Sequence, residues 1–102
     1  MTGLHDAAGA LLGGLRQGGA DATAMAAALG QVVAAQPRHD AARLALAACL
    51  WAAGRHRDAL AQYRLLAARH PDDAALGYAL GRALVQVGAL DEGEAVLRMV
   101  AA

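Results

Sequence analysis

The residues that could bind a metal are four histidines at scattered positions. They are His5, His39, His56 and His70. A metal site needs His, Cys or carboxylate ligands arranged as a set, such as a pair at i and i+3 or i+4 on one helix. His39 and His70 occupy equivalent loops, but neither is spaced from another ligand in that way, and His56 lies at the opposite end of its hairpin. We therefore interpret the histidines as loop and helix-end residues and predict neither a metal nor another cofactor.

The residues that could act as a nucleophile or as acid and base are Cys49 and a carboxylate cluster at Asp91, Glu92 and Glu94. Cys49 lies in an apolar segment where nothing adjacent in sequence would lower the pKa of its thiol, which is typical of a small core residue. The carboxylates lie where a helix begins, and capping explains them. The sequence contains no Ser–His–Asp set, phosphate loop or dinucleotide fingerprint. We predict that the chain is not an enzyme.

Charge and hydropathy exclude two classes of partner. Nine basic residues, all of them Arg, balance nine acidic residues, so the chain lacks the basic surface that nucleic acid or an anionic membrane would attract. The segment Met1–His5 has no signal-peptide character, and no apolar run approaches the length of a membrane span. We predict a cytoplasmic protein, and the Arg-only, Ala-rich and Gly-rich usage indicates a high-GC bacterial coding bias.

The elements that position these residues are six predicted helices. Apolar residues recur at helical spacing, and Gly, Asp and Pro mark the helix ends. Because 58% of the residues are hydrophobic but only 3% aromatic, we expect Trp51, Tyr63, Tyr78 and the leucines to dominate the packing. The first predicted helix is Leu4–Gln17, the second is capped by Asp21 and ends before Pro37, and the third opens at Asp40 and ends at Gly54. The fourth runs from near Asp58 to His70. The fifth starts at Asp72 and Asp73 and has an apolar face from Leu76 to Val87, and the sixth starts near Asp91 and has Val96, Leu97 and Val100 on its face.

The helices repeat with a regular 34-residue period. Pro37 and Pro71 are one period apart, and moving Leu46, Leu50 and Gly54 forward by the same distance lands on Leu80, Leu84 and Gly88. A repeat of this length in a helix-favouring chain predicts a stacked array, in which each hairpin buries its apolar face against the next.

The repeated unit resembles the tetratricopeptide repeat, a helix–turn–helix motif of the same length. The middle unit carries Leu46-Ala47 for the Leu-Gly pair of the motif, Gly54 at the turn, Ala59 at the small position, Tyr63 at the aromatic position and Pro71 at the end. The third unit carries Leu80-Gly81, Gly88, Gly93 and Leu97, and the first carries Leu12-Gly13 and Pro37 but Met25 at the small position. The resemblance implies an all-α fold of six helices, with repeats 6–39, 40–73 and 74–102 stacked as a short right-handed α-solenoid in a single domain, 1–102.

The same resemblance implies a concave groove lined by the first helix of each repeat, which binds a peptide or helix of a partner protein. It places Leu44, Ala45, Ala48, Trp51, Ala52, Tyr78, Ala79, Arg82, Val85 and Gln86 on that surface. Arg82 would form a fork for a carboxylate among apolar anchors. The alternative is that Trp51 and Tyr78 merely pack between helices. Chaperone-binding members of the family clamp a terminal carboxylate with Lys and Asn, but Leu44 and Ala48 occupy those positions here, which argues against such a clamp.

The third repeat is shorter than the full period and no further polar helix follows it, which leaves Val96, Leu97, Met99 and Val100 partly uncovered on the side where a next helix would pack. Either the chain is a fragment of a longer protein, or this edge meets another chain, for example in a homodimer through the last helix. The sequence thus predicts an interaction module with an apolar groove. The alternatives are a docking or regulatory domain of a larger bacterial transferase or hydroxylase, and a self-associating scaffold.

Overall fold

The fold consists of α-helices joined by short turns. The structure is a computed structural model that describes residues 3–101, and within this range it contains no strand. The second helix of each hairpin begins at residue 22, 56 or 90, so the helix starts follow the 34-residue period. The predicted all-α class with six helices is confirmed. The helices are α1 Leu4–Gln17, α2 Ala22–Ala35, α3 Asp40–Ala52, α4 His56–Arg69, α5 Ala74–Gln86 and α6 Leu90–Ala101.

A glycine with positive φ ends the first helix of every hairpin. Gly19, Gly54 and Gly88 have φ values of 83°, 82° and 89°, a conformation that costs glycine almost nothing. The N–H of the residue after each glycine donates to the carbonyl five positions earlier, at 3.4, 2.9 and 2.9 Å respectively, which is the bonding of a Schellman turn. The turn at Gly19 comes one residue earlier than the period measured from Gly54 would place it.

Side chains cap the helices that follow a loop. The Asp21 carboxylate accepts from the Ala24 N–H at 2.8 Å, as the sequence predicts, and the Asp73 carboxylate accepts from Leu76 at 3.0 Å. Asp40 is the first residue of α3, as the sequence predicts. The N-cap before it is His39, whose Nδ1 accepts from the Ala42 N–H at 3.1 Å.

The chain divides into two compact units, with the boundary inside α4 between Gln62 and Tyr63. In the first unit α3 is the most buried helix, with residues 42–47, 49 and 50 buried. In the second unit the largest fully buried side chains are Leu66, Leu76 and Leu84. Leucines therefore fill this core.

The expectation that the aromatic residues dominate the packing is wrong. Trp51 and Tyr63 are only half-buried, and Tyr78 is 52% exposed. Val87, predicted on the inner face of α5, is also exposed because it is the C-cap residue, where the helical periodicity has ended.

Helices α5 and α6 pack closely through glycine. A Cβ atom on Gly81 would lie 2.6 Å from Leu97 Cδ2, and one on Gly93 would lie 3.0 Å from the Gly81 carbonyl oxygen. The predicted role of the small residues at these two positions is therefore confirmed. Their counterparts in the preceding repeat, Ala47 and Ala59, are both fully buried.

The first hairpin lacks this close packing. A Cβ atom on Gly13 would have nothing within 4 Å, so the match of Leu12-Gly13 to the Leu-Gly pair is wrong. The early turn at Gly19 places Leu12 where Ala47 lies in the next repeat, and Met25 takes the position of Ala59. Because two bulky side chains replace two small ones, α1 packs on α3 more than on α2.

Candidate partner-binding surfaces

The exposed side of α5 carries four of the predicted groove residues, Tyr78, Arg82, Val85 and Gln86, which we call the α5 face. Tyr78, Arg82 and Val85 follow one another at i, i+4 and i+7, so they share one side of the helix. Tyr78 is 52% exposed and Val85 is 39% exposed, and Arg82 and Gln86 are exposed as well. The α5 face is thus an accessible surface that combines an aromatic ring, an aliphatic side chain, a guanidinium and an amide.

Tyr78 and Arg82 are in contact with each other. The guanidinium carbon of Arg82 lies 5.8 Å from the centroid of the Tyr78 ring, within the range of a cation–π interaction. At an exposed site such a contact contributes roughly 0.5–1 kcal/mol.

The α3 residues belong to the first unit and differ in accessibility. Leu44 is only 9% exposed, so its side chain is part of the core and offers little surface to a partner. Ala48 and Trp51 are half-buried. The Trp51 ring stacks on His56, the first residue of α4, with ring centroids 4.1 Å apart and an interplanar angle of 23°. Trp51 therefore has a structural contact within its own hairpin.

Ala48 borders a small cleft among α1, α2 and α3. The cleft has a volume of about 170 Å³, and Leu12, Arg16, Cys49 and Ala52 also line it. A volume of this size admits one small apolar side chain rather than a helix.

The sequence model of the tetratricopeptide repeat matches residues 50–102, just over half of the chain. The chain belongs to the tetratricopeptide repeat family. No curated protein and no solved structure matches it. Tetratricopeptide repeats in general mediate protein–protein interactions and are not enzymes, which agrees with the class of function predicted from the sequence.

The chemistry-bearing residues of this tetratricopeptide repeat protein occupy structural positions. Burial raises the pKa of the Cys49 thiol above its ordinary value, against a smaller opposite effect of Arg16, so the nucleophilic thiolate is disfavoured. Among residues 3–101 no three His, Cys, Asp or Glu side chains group in a way that could hold a metal ion. No helix in the same range is both long and apolar enough to cross a membrane.

The carboxylate cluster at the start of α6 makes one contact that the sequence did not predict. Glu92 forms a two-pronged ion pair with Arg64 of α4, in which Arg64 Nη2 donates to Glu92 Oε2 at 3.0 Å and Nη1 donates to Oε1. These hydrogen bonds hold the pKa of Glu92 below its ordinary value and raise the pKa of Arg64. The carboxylates thus lie in the first turn of α6, as predicted, and one of them also links α6 to α4 through an ion pair.

Sequence reasoning missed Arg43, because a coding bias toward arginine gives no single arginine special weight. Arg43 is the one buried charged side chain among residues 3–101, at 9% exposure. It donates from Nη1 to Gln62 Oε1 at 2.6 Å and from Nη2 to the Pro37 carbonyl oxygen at 2.9 Å. A comparison of the repeats could have identified Arg43. The residue one period later is Gly77, so the two repeats differ at this position by a whole arginine side chain.

Proposed function

We propose that the protein is a non-enzymatic interaction module that binds an apolar helix or extended segment of a partner protein through the α5 face. The observation that carries this proposal is the exposed pair of Tyr78 and Arg82, held in contact on one side of a helix. Tyrosine and arginine are among the residue types most enriched at interface hot spots. A tyrosine side chain loses little entropy on binding, and a guanidinium recognises a carboxylate with two parallel hydrogen bonds.

The chemistry of the α5 face specifies the partner. Tyr78 and Val85 offer apolar surface for an aliphatic or aromatic side chain, while Arg82 and Gln86 offer hydrogen-bond donors one turn apart. We infer that the ligand carries an apolar anchor and, about one helical turn away, an acidic residue or another acceptor.

Trp51 and Ala48 are the candidate contribution of α3 to binding. Both remain partly accessible, and the stack on His56 fixes the Trp51 ring in one orientation. We include them as secondary contacts, whereas Leu44 is left out because it is buried.

The test is selection of peptides from a random displayed library on the purified chain, followed by affinity measurements on variants. We expect Tyr78→Ala and Arg82→Ala each to weaken binding of the selected peptides at least about tenfold, or about 1.4 kcal/mol, with the free energy of unfolding changed by less than about 0.5 kcal/mol. Trp51→Ala should have a smaller effect on binding. Arg57→Ala, which removes an exposed arginine of α4, is the matched control and should leave binding unchanged.

Two results would contradict this function. One is selected peptides whose binding survives the loss of Tyr78 and Arg82. The other is a loss of binding that parallels an equal loss of stability, because that would identify the two residues as parts of the core.

A second candidate is self-association through α6, which Met99 favours because 78% of this large apolar residue is exposed. Sedimentation of the chain distinguishes the two candidates. A dimer at tens of micromolar that dissociates in Met99→Ser would support self-association, and a monomer at that concentration would eliminate it.

A further inference from the structure

The second unit contains an apolar cleft that shares no residue with the α5 face. It has a volume of about 410 Å³ and lies between the loop before α5, α5 itself and the end of α6. We call it the C-terminal cleft. Its residues that matter here are Pro71, Asp72, Gly77, Leu80, Val96 and Val100.

The repeat period identifies the same site in the first unit, where a side chain occupies it. Shifted back by one period, Pro71, Gly77 and Val96 become Pro37, Arg43 and Gln62. The Arg43 side chain is buried there, with its guanidinium on the Pro37 carbonyl oxygen at 2.9 Å and on Gln62 Oε1 at 2.6 Å. One repeat thus holds an arginine of its own at this site, and the other repeat has no side chain at the equivalent residue.

Residue 77 contributes no side chain to the C-terminal cleft, because Gly77 replaces the arginine. Among the residues that the structure describes, a Cβ atom on Gly77 would meet Val100 Cγ2 at 2.6 Å, so Val100 lies against the helix backbone at one side of the cleft. Within residues 3–101, no hydrogen bond reaches the carbonyl oxygen of Pro71. In the first unit the Pro37 carbonyl oxygen accepts from Arg43. The equivalent Pro71 carbonyl oxygen in the second unit has no donor among the described residues.

The rim has also become more acidic. Arg38, His39 and Asp40 border the filled site, and their counterparts are Asp72, Asp73 and Ala74. Asp73 caps α5 through Oδ1, and Asp72 is exposed beside the cleft. The second unit lacks the interior cation and has carboxylates at the entrance, which makes the site complementary to a positive charge.

We propose that the C-terminal cleft binds an arginine side chain of a partner polypeptide. The methylene groups lie on Gly77, Leu80 and Val96, and the guanidinium donates to the Pro71 carbonyl oxygen and to the Asp72 carboxylate. Arginine fits better than lysine because a planar guanidinium presents several N–H groups to two separate acceptors, where an ammonium presents one centre.

The probe is N-acetyl-arginine amide, titrated into the isotope-labelled chain and followed by the amide chemical shifts in NMR spectra. We expect saturable shifts at residues 72–77, at Leu80 and at residues 96–100, and none at Arg82, Val85 and Gln86 of the α5 face. N-acetyl-citrulline amide has nearly the same shape without the charge, and it should give no saturable shift over the same concentration range. N-acetyl-norleucine amide measures how much binding the apolar stem gives without a guanidinium, and it should also give no saturable shift.

Variants built from the first unit sharpen the test. Val96→Gln supplies the acceptor that Gln62 provides to Arg43 and should tighten binding of the probe. Gly77→Arg with Val96→Gln rebuilds the filled site and should abolish binding. Asp72→Asn should weaken binding about threefold, as expected for an exposed charge pair, while Asp91→Asn, an exposed carboxylate in α6, is the control and should not. The Asp72 and Val96 single variants keep the proposal testable if the double variant does not fold.

Three outcomes would overturn the proposal. The arginine and citrulline compounds could bind equally, which would remove the role of charge. The norleucine compound could bind best, which would identify an apolar ligand. Finally, the cleft signals could shift on dilution without any probe, which would show that a second copy of the chain covers the cleft.

Discussion

At the scale of single residues, one buried cation distinguishes two otherwise similar repeats. Arg43 is enclosed by the first unit, where Gln62 and the Pro37 carbonyl oxygen accept from its two Nη atoms. Its Nε is buried and has no hydrogen-bond partner among the described residues. A buried guanidinium carries a large desolvation cost, so each remaining acceptor matters more than it would on the surface.

Removal of the Gln62 acceptor should therefore destabilise the protein. We expect Gln62→Ala to lower the free energy of unfolding by about 1–3 kcal/mol, because it leaves a buried charged donor unpaired. Gln31→Ala, at an exposed position of α2, is the control and should change stability by less than about 0.5 kcal/mol. Urea unfolding followed by circular dichroism measures both, and equal effects would mean that solvent satisfies Arg43.

At the scale of elements, the size of two side chains determines how closely the helices of a hairpin pack. Gly81 and Gly93 allow the backbones of α5 and α6 to approach, and Ala47 and Ala59 hold the same positions in the middle repeat. Leu12 and Met25 are too large to do so in the first hairpin. The three glycines inside α1 therefore lower helix propensity without serving a close contact, since a Cβ atom on Gly9, Gly13 or Gly14 would have nothing within 4 Å.

Two glycine substitutions should consequently act in opposite directions. The Cβ atom of Gly93→Ala would lie 3.0 Å from both the Gly81 carbonyl oxygen and the Val85 nitrogen, and since backbone atoms cannot rotate away we expect a loss of about 1–3 kcal/mol. Gly13→Ala adds a methyl group in open space and should stabilise by about 0.5–1 kcal/mol. Thermal unfolding of the two variants gives the signs, and a stabilised Gly93→Ala would contradict the close contact between α5 and α6.

At the scale of the whole molecule, buried apolar side chains outweigh charge. The nine positive and nine negative residues cancel, and the ion pairs Arg55–Asp58, Arg64–Glu92 and Arg98–Glu94 all lie at exposed side chains. Exposed pairs contribute little each. The Arg64–Glu92 pair differs from the other two in that it joins different helices and makes two parallel hydrogen bonds.

This pair predicts the direction of the pH dependence of stability. The pKa of Glu92 is lowered from its ordinary value of 4.5, so the folded state favours the carboxylate and the unfolded state binds the proton more readily. Its contribution to stability is present above that ordinary value and is lost as the pH falls through the lowered folded-state value. We expect wild type to exceed Glu92→Gln in stability at neutral pH and the difference to shrink in acid.

A double-mutant cycle with Arg64→Gln isolates this contribution. In the Arg64→Gln background, Glu92→Gln should have no effect on the acid limb of stability, measured by urea unfolding at a series of pH values. The coupling should also decrease in concentrated salt, because an exposed pair is screened. A pH profile of wild type identical to that of Glu92→Gln would contradict the pair.

Most of the helices could be predicted from the sequence because their signals are local. The bounds of α1, the turns at Gly54 and Gly88 and the cap at Asp21 each depend on neighbouring residues, and all are confirmed. Details that depend on geometry could not be predicted in this way. The sequence does not show that His39 caps α3, or that the turn at Gly19 shifts the register that Leu12-Gly13 had suggested.

The candidate sites were less predictable, because exposure is a property of packing. The periodicity that places Leu44 on the same side as Trp51 does not say which neighbours cover it, and Leu44 is buried while Tyr78, its counterpart one repeat later, is half-exposed. The contact of Arg82 with Tyr78 follows from i, i+4 spacing, whereas the stack of Trp51 on His56 depends on how the turn at Gly54 folds back.

The sequence by itself determined the family, the all-α class and the 34-residue period, since these follow from the order of apolar residues, glycines and prolines. Only the tertiary structure decided which equivalent positions are filled. The exchange of Arg43 for Gly77 one period later gains its meaning from Pro37 and Gln62, which hold the arginine, and from Val100, which lies against the glycine. Buried polar contacts and open clefts depend on distances between residues far apart in the chain, and periodicity does not specify these.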